Sequence, residues 1–128
     1  MTRHFGVLIP STNTTVEMEC RLLPPTYQAH IGRLKSSRAG SFSPSRDEDI
    51  DYQSHLLGTA RVELVILAQT SASLFADDYD DVVTKRMSAG AGATSRDVGP
   101  VTATCLSCAG RKNHPTPIPN ANPIPTVA

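Results

Sequence analysis

Short apolar segments that alternate with helical patterns are the feature that most constrains the fold of this chain. Three segments have the β-branched and apolar composition of strands, at residues 5–9, 27–34 and 62–68. A helical pattern follows each of them, at about residues 14–23, 45–60 and 77–87. Alternation of this kind is typical of a parallel sheet with helices on its faces. We therefore predict an α/β fold, a flavodoxin-like three-layer α/β/α half-domain with a short parallel sheet in the order 2-1-3.

The predicted helices begin at recognisable start signals. Thr14 and Glu17 have the spacing of a capping box, in which each side chain accepts a hydrogen bond from the other residue's backbone N–H. Ser45 or Asp47 is expected to cap the second helix in a similar way. The buried side of that helix is expected to carry Ile50, Leu57 and Leu56.

Two polar loops follow the first and third predicted strands, at residues 10–15 and 69–73. Because ligands of open α/β sheets bind beyond the carboxyl ends of the strands, we expect the two loops to meet at one crevice. Hydroxyl and amide groups beside a helix N-terminus attract a carboxylate or phosphate. The same residues also suit a simpler role, in which they shape the turns and cap the helices. The groups concerned are Ser11, Thr12, Asn13, Thr14 and Thr15 in the first loop, with Thr70 and Ser71 in the second.

Gln69 lies where a catalytic group at the end of the third strand would point into the crevice. Its amide forms hydrogen bonds, but it neither attacks carbon nor transfers a proton at ordinary pH. The hydroxyl and amide side chains of the two loops do not titrate near neutral pH either. These residues therefore predict the binding of a small anion more strongly than they predict a reaction.

Length and charge exclude several classes of protein. The chain has 128 residues, 12 basic and 12 acidic side chains, and a formal net charge of zero. A nucleic-acid-binding domain usually has a basic excess, so no nucleic acid is expected as a partner. No apolar run approaches the roughly 18 residues of a membrane span, and no membrane association is expected. The first residues lack a signal-peptide pattern, which predicts a cytoplasmic location.

The three cysteines do not form a disulfide framework, because their number is odd and their spacing uneven. Cys20 falls in the first predicted helix and is expected to be a small core residue. Cys105, Cys108 and His114 would supply only three of the four ligands of a structural zinc site. No metal site is therefore predicted.

The C-terminal part of the sequence differs in character. We predict an α/β half-domain over residues 1–88 and a Gly/Ala-rich, then Pro-rich, irregular tail over residues 89–128. Five prolines between Pro115 and Pro125 remove backbone donors and oppose regular structure. Residues 101–106 form the one segment of this tail with the composition of a short strand. The remainder is expected to be disordered or extended.

Two motifs resemble one enzyme family. Residues 7–17, Val-Leu-Ile-Pro-Ser-Thr-Asn-Thr-Thr-Val-Glu, are similar to the opening of the maleate cis-trans isomerase and arylmalonate decarboxylase family, in the aspartate/glutamate racemase superfamily. Residues 63–73, Glu-Leu-Val-Ile-Leu-Ala-Gln-Thr-Ser-Ala-Ser, resemble a second motif of that family, a strand followed by Cys-Thr-Ser. The resemblance implies a cofactor-independent enzyme whose two halves each direct a cysteine towards a small dicarboxylate. It implies that Ser11 and Asn13 contact a carboxylate and that Thr70 and Ser71 form part of an anion hole.

The chain departs from this family pattern in two ways. Gln69 stands at the position of the first-half cysteine, which the decarboxylase members also lack. A second half is not recognisable, and the change of composition near Ser88 resembles a truncation or a reading-frame shift. The resemblance implies a truncated or divergent member that acts by descent on a small dicarboxylic acid, by isomerisation, racemisation or decarboxylation, with little activity alone. The alternative is a non-catalytic carboxylate-binding or protein-interaction module. For the truncated family member, a homo-oligomer or a partner protein is expected to complete the missing half.

Overall fold

The protein is an α/β structure built on one parallel sheet. The computed structural model describes residues 1–35, 45–69, 76–92 and 101–105, with the side chain of Cys105 left aside. The elements in chain order are β1 (Arg3–Pro10), α1 (Val16–Cys20), β2 (Tyr27–Leu34), α2 (Asp47–Thr59), β3 (Leu64–Leu67), α3 (Tyr79–Gly92) and β4 (Thr102–Cys105). No helix among these residues is long and apolar enough to cross a membrane.

The strand order confirms the predicted topology and extends it. The sheet has the order β2-β1-β3-β4, and every neighbouring pair is parallel. Strands β1 and β3 are neighbours, as the order 2-1-3 requires, with Phe5 opposite Leu64. The short strand expected at residues 101–106 is β4, which pairs with β3. The central strand β1 therefore has a partner along each of its edges.

The main core lies between one face of the sheet and helices α2 and α3. Leu8 on β1 is completely buried there. The predicted core positions Ile50 and Leu57 of α2 are also buried, whereas Leu56 is 42% exposed and that part of the prediction is wrong. Burial of each such apolar side chain contributes about 1.5–3 kcal/mol. The other members of this core include Leu34, Val62, Val65, Leu67, Val83, Met87 and Val101.

A smaller cluster covers the opposite face of the sheet. Val7, Ile9 and Ala68 are buried in it, and α1 contributes Val16 and Cys20. Cys20 is a free cysteine of intermediate exposure. It packs against the smaller cluster, as predicted, but it lies at the margin rather than inside it. Burial raises the pKa of the Cys20 thiol, and the neighbouring glutamates of α1 raise it further. The thiol is therefore a weak nucleophile at neutral pH.

Helix α3 is longer than the sequence predicted. It continues to Gly92 rather than ending near Met87, so the expected domain boundary at residue 88 falls inside a helix. The small residues of this last turn allow a close crossing with α2. A Cβ atom at Gly90 would lie 3.0 Å from Cβ of Ser54 and 3.3 Å from the backbone oxygen of Asp51. Residues 93–100 and 106–128 lie outside the described residues, and the predicted irregular tail stays a prediction there.

Two histidines meet at the amino-terminal end of the sheet, which the sequence analysis did not foresee. Nδ1 of His4 lies 2.9 Å from Nε2 of His30, and the rings stack with their centroids 5.2 Å apart. Partial burial lowers the pKa of His30, and the neighbouring His4 lowers it further. The hydrogen bond between the rings also requires one nitrogen to be an unprotonated acceptor. The folded state therefore favours the neutral form of His30.

We expect this histidine pair to make the protein less stable in weak acid. The unfolded chain, with a histidine pKa of about 6.5, then binds a proton more readily than the folded chain. The stability that the neutral His30 contributes is complete above the pKa of the unfolded chain. It is lost as the pH falls towards the lower pKa of His30 in the folded protein. Urea unfolding at pH 7.5 and at pH 5 should show a smaller loss of unfolding free energy in His30→Gln than in the wild type. Equal losses in the two proteins would contradict this assignment.

Candidate functional site

The candidate site lies at the carboxyl end of the sheet, beyond β1 and β3. These strands are neighbours, and the N–H of Ala68 donates to the backbone oxygen of Leu8 at 2.9 Å. The loop after Pro10 and the segment that begins at Gln69 therefore leave the same edge of the sheet. This confirms the topological basis of the expected crevice. Thr70 and Ser71 lie outside the described residues, and their roles stay predictions.

Asn13 organises the loop between β1 and α1. Its Oδ1 accepts hydrogen bonds from the backbone N–H groups of Thr15 and Val16, both at 3.0 Å. The backbone N–H of Asn13 donates to the oxygen of Pro10 at 2.9 Å and closes the turn. Because Oδ1 is occupied, the amide is held in one orientation and Nδ2 remains as its donor group. Among the described residues, no hydrogen-bond acceptor is found for Nδ2.

The capping box expected from Thr14 and Glu17 does not form, and that prediction is wrong. The N-cap position is Thr15, whose side chain makes no capping hydrogen bond. The carboxylate of Glu17 instead binds the guanidinium of Arg33 at 2.9 Å. Helix α1 also ends at Cys20 rather than near residue 23, so it has only 5 residues. Asn13 caps the start of α1 by accepting the N–H groups of Thr15 and Val16.

Arg33 is a component of the loop that the sequence analysis missed. Its Nη1 donates to the backbone oxygens of Ser11 at 3.2 Å and Asn13 at 2.9 Å, while its Nη2 holds Glu17. In a trans peptide the carbonyl and the following N–H point in opposite directions. The N–H groups of Thr12 and Thr14 therefore face away from the guanidinium. Arg33 thus fixes the direction of two peptide groups in the loop.

Two local facts could have revealed Arg33. It lies one residue before the carboxyl end of β2, and it is in register with Ile9, near the end of β1. The predicted order 2-1-3 already placed those two strand ends side by side. A long, forked cation at that position reaches the carbonyl oxygens of the neighbouring loop. Its ion pair with Glu17 is exposed and contributes little stability by itself, so the effect of Arg33 is mainly geometric.

Gln69 is anchored from the side of α2. Its Oε1 accepts a hydrogen bond from Oγ of Ser45 at 3.0 Å, and Ser45 is buried. The expected capping of α2 by Ser45 or Asp47 is therefore wrong, because the N-cap position is Arg46 and carries no side-chain cap. With its oxygen engaged, Gln69 keeps Nε2 as a donor. Asn13 and Gln69 consequently share one property: each uses its amide oxygen within the protein.

The amide groups of Asn13 and Gln69 at this edge of the sheet keep hydrogen-bond donors. Amide nitrogens and hydroxyl groups are suited to bind a carboxylate, and they do not titrate near neutral pH. In the four described stretches, no cluster of three or more histidine, cysteine, aspartate or glutamate side chains is placed to hold a metal ion. Cys108, His114 and the side chain of Cys105 lie outside those stretches. The described groups at this edge can therefore orient a ligand by hydrogen bonds, and none of them is a thiol or a group that transfers a proton near neutral pH.

Comparison with known proteins gives a relationship in structure. No protein-family model and no curated protein sequence matches this chain. Among solved structures, it is similar to the crystal structure of the maleate isomerase Iso from Pseudomonas putida S16, with a TM-score of 0.58 and 18% sequence identity. The similarity covers 86% of this chain and 46% of that chain. The protein therefore has the fold of part of a maleate isomerase, and it spans about half the length of that enzyme.

Proposed function

We propose that this protein binds a small dicarboxylate at the loop between β1 and α1, as a distant and divergent relative of the maleate isomerase and arylmalonate decarboxylase family. The observation that carries the proposal is the state of Asn13. Its Oδ1 is occupied by two backbone N–H groups, which leaves only donors at Nδ2 for a ligand. A carboxylate accepts hydrogen bonds and fits such a group, whereas a cation does not.

A ligand with two carboxylates fits the topology better than one with a single charge. Strands β1 and β3 are neighbours and both loops leave the same edge of the sheet. Neighbouring strands lie about 4.8 Å apart, so donors from the two loops can approach the two carboxylates of a short diacid from opposite sides. In this proposal Ser11 and Asn13 hold one carboxylate. Gln69, with Thr70 and Ser71, holds the other.

We also propose that the chain alone turns its ligand over slowly or not at all. By descent the reaction would be a cofactor-independent isomerisation, racemisation or decarboxylation of the diacid. The amide of Gln69 stands where the family has a cysteine and cannot form a covalent bond to carbon. Positioning of the ligand by hydrogen bonds does not replace the missing reactive group. Binding without turnover is therefore the expected behaviour.

The substitution Asn13→Asp tests the binding site most directly. An aspartate still accepts the N–H groups of Thr15 and Val16, but it removes the Nδ2 donors and adds a negative charge beside the ligand. We expect the affinity for maleate or malonate, measured by NMR titration of the backbone amides, to fall at least about tenfold, as loss of a hydrogen bond to a charged group predicts. The thermal unfolding temperature should remain close to that of the wild type, because the cap is preserved.

Gln28→Glu is the matched control for this experiment. It makes the same change from amide to carboxylate at an exposed position near the amino end of β2, away from the site. It should leave the affinity unchanged within about twofold, since exposed charges this far apart are largely screened. Failure of the wild type to bind either diacid, or equal binding by Asn13→Asp, would overturn the proposed site. Conversion of maleate to fumarate by the purified chain would overturn the proposal that it lacks turnover.

A further inference from the structure

Strand β2 has one edge that no other described strand covers. At its two ends, the N–H of Arg3 donates to the oxygen of Thr26 and the N–H of Ser11 donates to the oxygen of Leu34. In a parallel pair this pattern turns the even-numbered residues of β2 towards β1 and the odd-numbered ones outwards. Ala29, Ile31 and Arg33 therefore direct their N–H and C=O groups away from the sheet. No described residue pairs with these groups.

A groove runs along this edge on the α1 side. It encloses about 500 Å³ and is lined by residues of α1, the following turn and β2, including Cys20, Leu23 and Ile31. Two of the large apolar side chains that line it are exposed, Leu23 by 42% and Tyr27 by 47%. Clusters of exposed apolar residues beside an open strand edge are typical of an interaction surface.

We propose that a second copy of this chain pairs with this edge in antiparallel fashion, with a two-fold axis at Ile31. The two four-stranded sheets would then form one continuous sheet. In this register Ile31 faces Ile31 of the second copy. Ala29 faces Arg33 on the α1 side of the sheet, and Gly32 faces His30 on the other side. In the two pairs that flank Ile31, a small residue thus lies opposite a large one, which favours close packing of the two strands.

The charges along β2 agree with the same register. Arg33 is already paired with Glu17 of its own chain at 2.9 Å, and it meets the neutral Ala29. Lys35 comes opposite Tyr27, where an ammonium group can lie against an aromatic ring. No like charges face each other across the axis, and the chain has zero net charge. An unrelated extended peptide would use the same backbone groups but would not reproduce this matching of sizes and charges.

The substitution Ile31→Pro tests the proposed edge. Its N–H points outwards, so proline removes a hydrogen bond to the second copy and none to β1. Sedimentation velocity over a range of concentrations should show a dimer for the wild type and at least tenfold weaker association for Ile31→Pro. The matched control is Ala103→Pro, which removes an outward N–H from β4, the other outer strand, and should leave the dimer intact. Circular dichroism checks that both variants fold.

Cysteine cross-linking tests the register independently of the proline variant. In a background with Cys20, Cys105 and Cys108 changed to serine, Ile31→Cys should form an intermolecular disulfide under mild oxidation. The paired Cα atoms would lie about 5.5 Å apart, within the range for a disulfide. Ala29→Cys is the control, because two copies of residue 29 would be separated by four residues, about 13 Å. A monomer at all concentrations, an unaffected Ile31→Pro dimer, or preferential cross-linking at residue 29 would overturn the proposal. The proposal does not depend on the dicarboxylate site.

Discussion

Leu8→Ala should lower the free energy of unfolding by about 3 kcal/mol, within the range of roughly 2–5 kcal/mol for such changes in a packed core. Leu8 is completely buried on the central strand, facing α2 and α3. Its Cδ2 atom would lie only 2.7 Å from a Cβ added at Gly32, so its side chain closely approaches the backbone of β2. Parallel strands on both sides hold β1 in place, and the cavity left by alanine cannot easily close.

Urea unfolding followed by circular dichroism measures this effect, with Leu22→Ala as the control. Leu22 has the same side chain but is 84% exposed. Its substitution should change the unfolding free energy by no more than about 0.5 kcal/mol, as for other surface positions. The comparison should be made at low protein concentration, so that association of the chain does not contribute to the measured stability. Similar losses in the two variants would mean that the main core does not lie where the structure places it.

Gly90→Val should be the second most damaging change, costing roughly 2–3 kcal/mol through overpacking. A single Cβ atom at this position would already lie 3.0 Å from Cβ of Ser54 and 3.3 Å from the backbone oxygen of Asp51. Neither neighbour is the free end of a flexible side chain, so α2 and α3 must move apart to admit the two extra methyl groups. Arg86 opposes that movement, because it is paired with Asp51 at 2.7 Å.

Gly92→Val provides the matched control within the same helix. Nothing lies within 4 Å of the Cβ position at Gly92. Because valine has a better intrinsic helix propensity than glycine, this variant should be neutral or slightly more stable, by up to about 0.5 kcal/mol. Thermal and urea unfolding of the two variants compare them directly. A loss in Gly92→Val as large as that in Gly90→Val would show that the helix end, rather than the crossing, is sensitive.

The sheet could be predicted because each of its first three strands is recognisable from its own local sequence. Residues 5–9 and 62–68 form apolar runs because a strand that is buried on one or both faces needs apolar side chains there. Their alternation with helices then fixes the parallel arrangement, since parallel neighbours need a crossover. Strand β2 was also found at its full extent, residues 27–34. The strand order, the most useful result for the site, followed from these elements.

The end of α3 could not be predicted by the same reasoning. Residues 88–92, Ser-Ala-Gly-Ala-Gly, have no apolar period, and glycine is a poor helix former. Their helical conformation is stabilised by the contact with α2, where only a residue without a side chain fits at Gly90. Tertiary packing therefore outweighs the local preference. A pattern of small residues near the end of a predicted helix can be read as a close helix crossing.

The details of the candidate site escaped prediction because they depend on residues distant in sequence. The loop was recognised, and so was the role of Asn13 in shaping it. Arg33 reaches that loop from β2, and Ser45 reaches Gln69 from the start of α2. The local sequence predicted that Ser45 and Glu17 cap helices. In the structure Ser45 instead hydrogen-bonds to Gln69, and Glu17 pairs with Arg33. Competition of this kind is decided by the packed fold and not by spacing along the chain.

The position of β1 has a consequence for the order in which the protein is made. Among the described strands β1 is synthesised before the other three, yet it lies in the interior of the sheet, with β2 on one edge and β3 on the other. Its second edge is covered only after residue 67 has left the ribosome. Until then a nascent chain can pair β1 with β2 but leaves an apolar strand open to the solvent. Slow translation between residues 35 and 64 would lengthen that vulnerable interval, and the yield of soluble protein should depend on codon choice in that stretch.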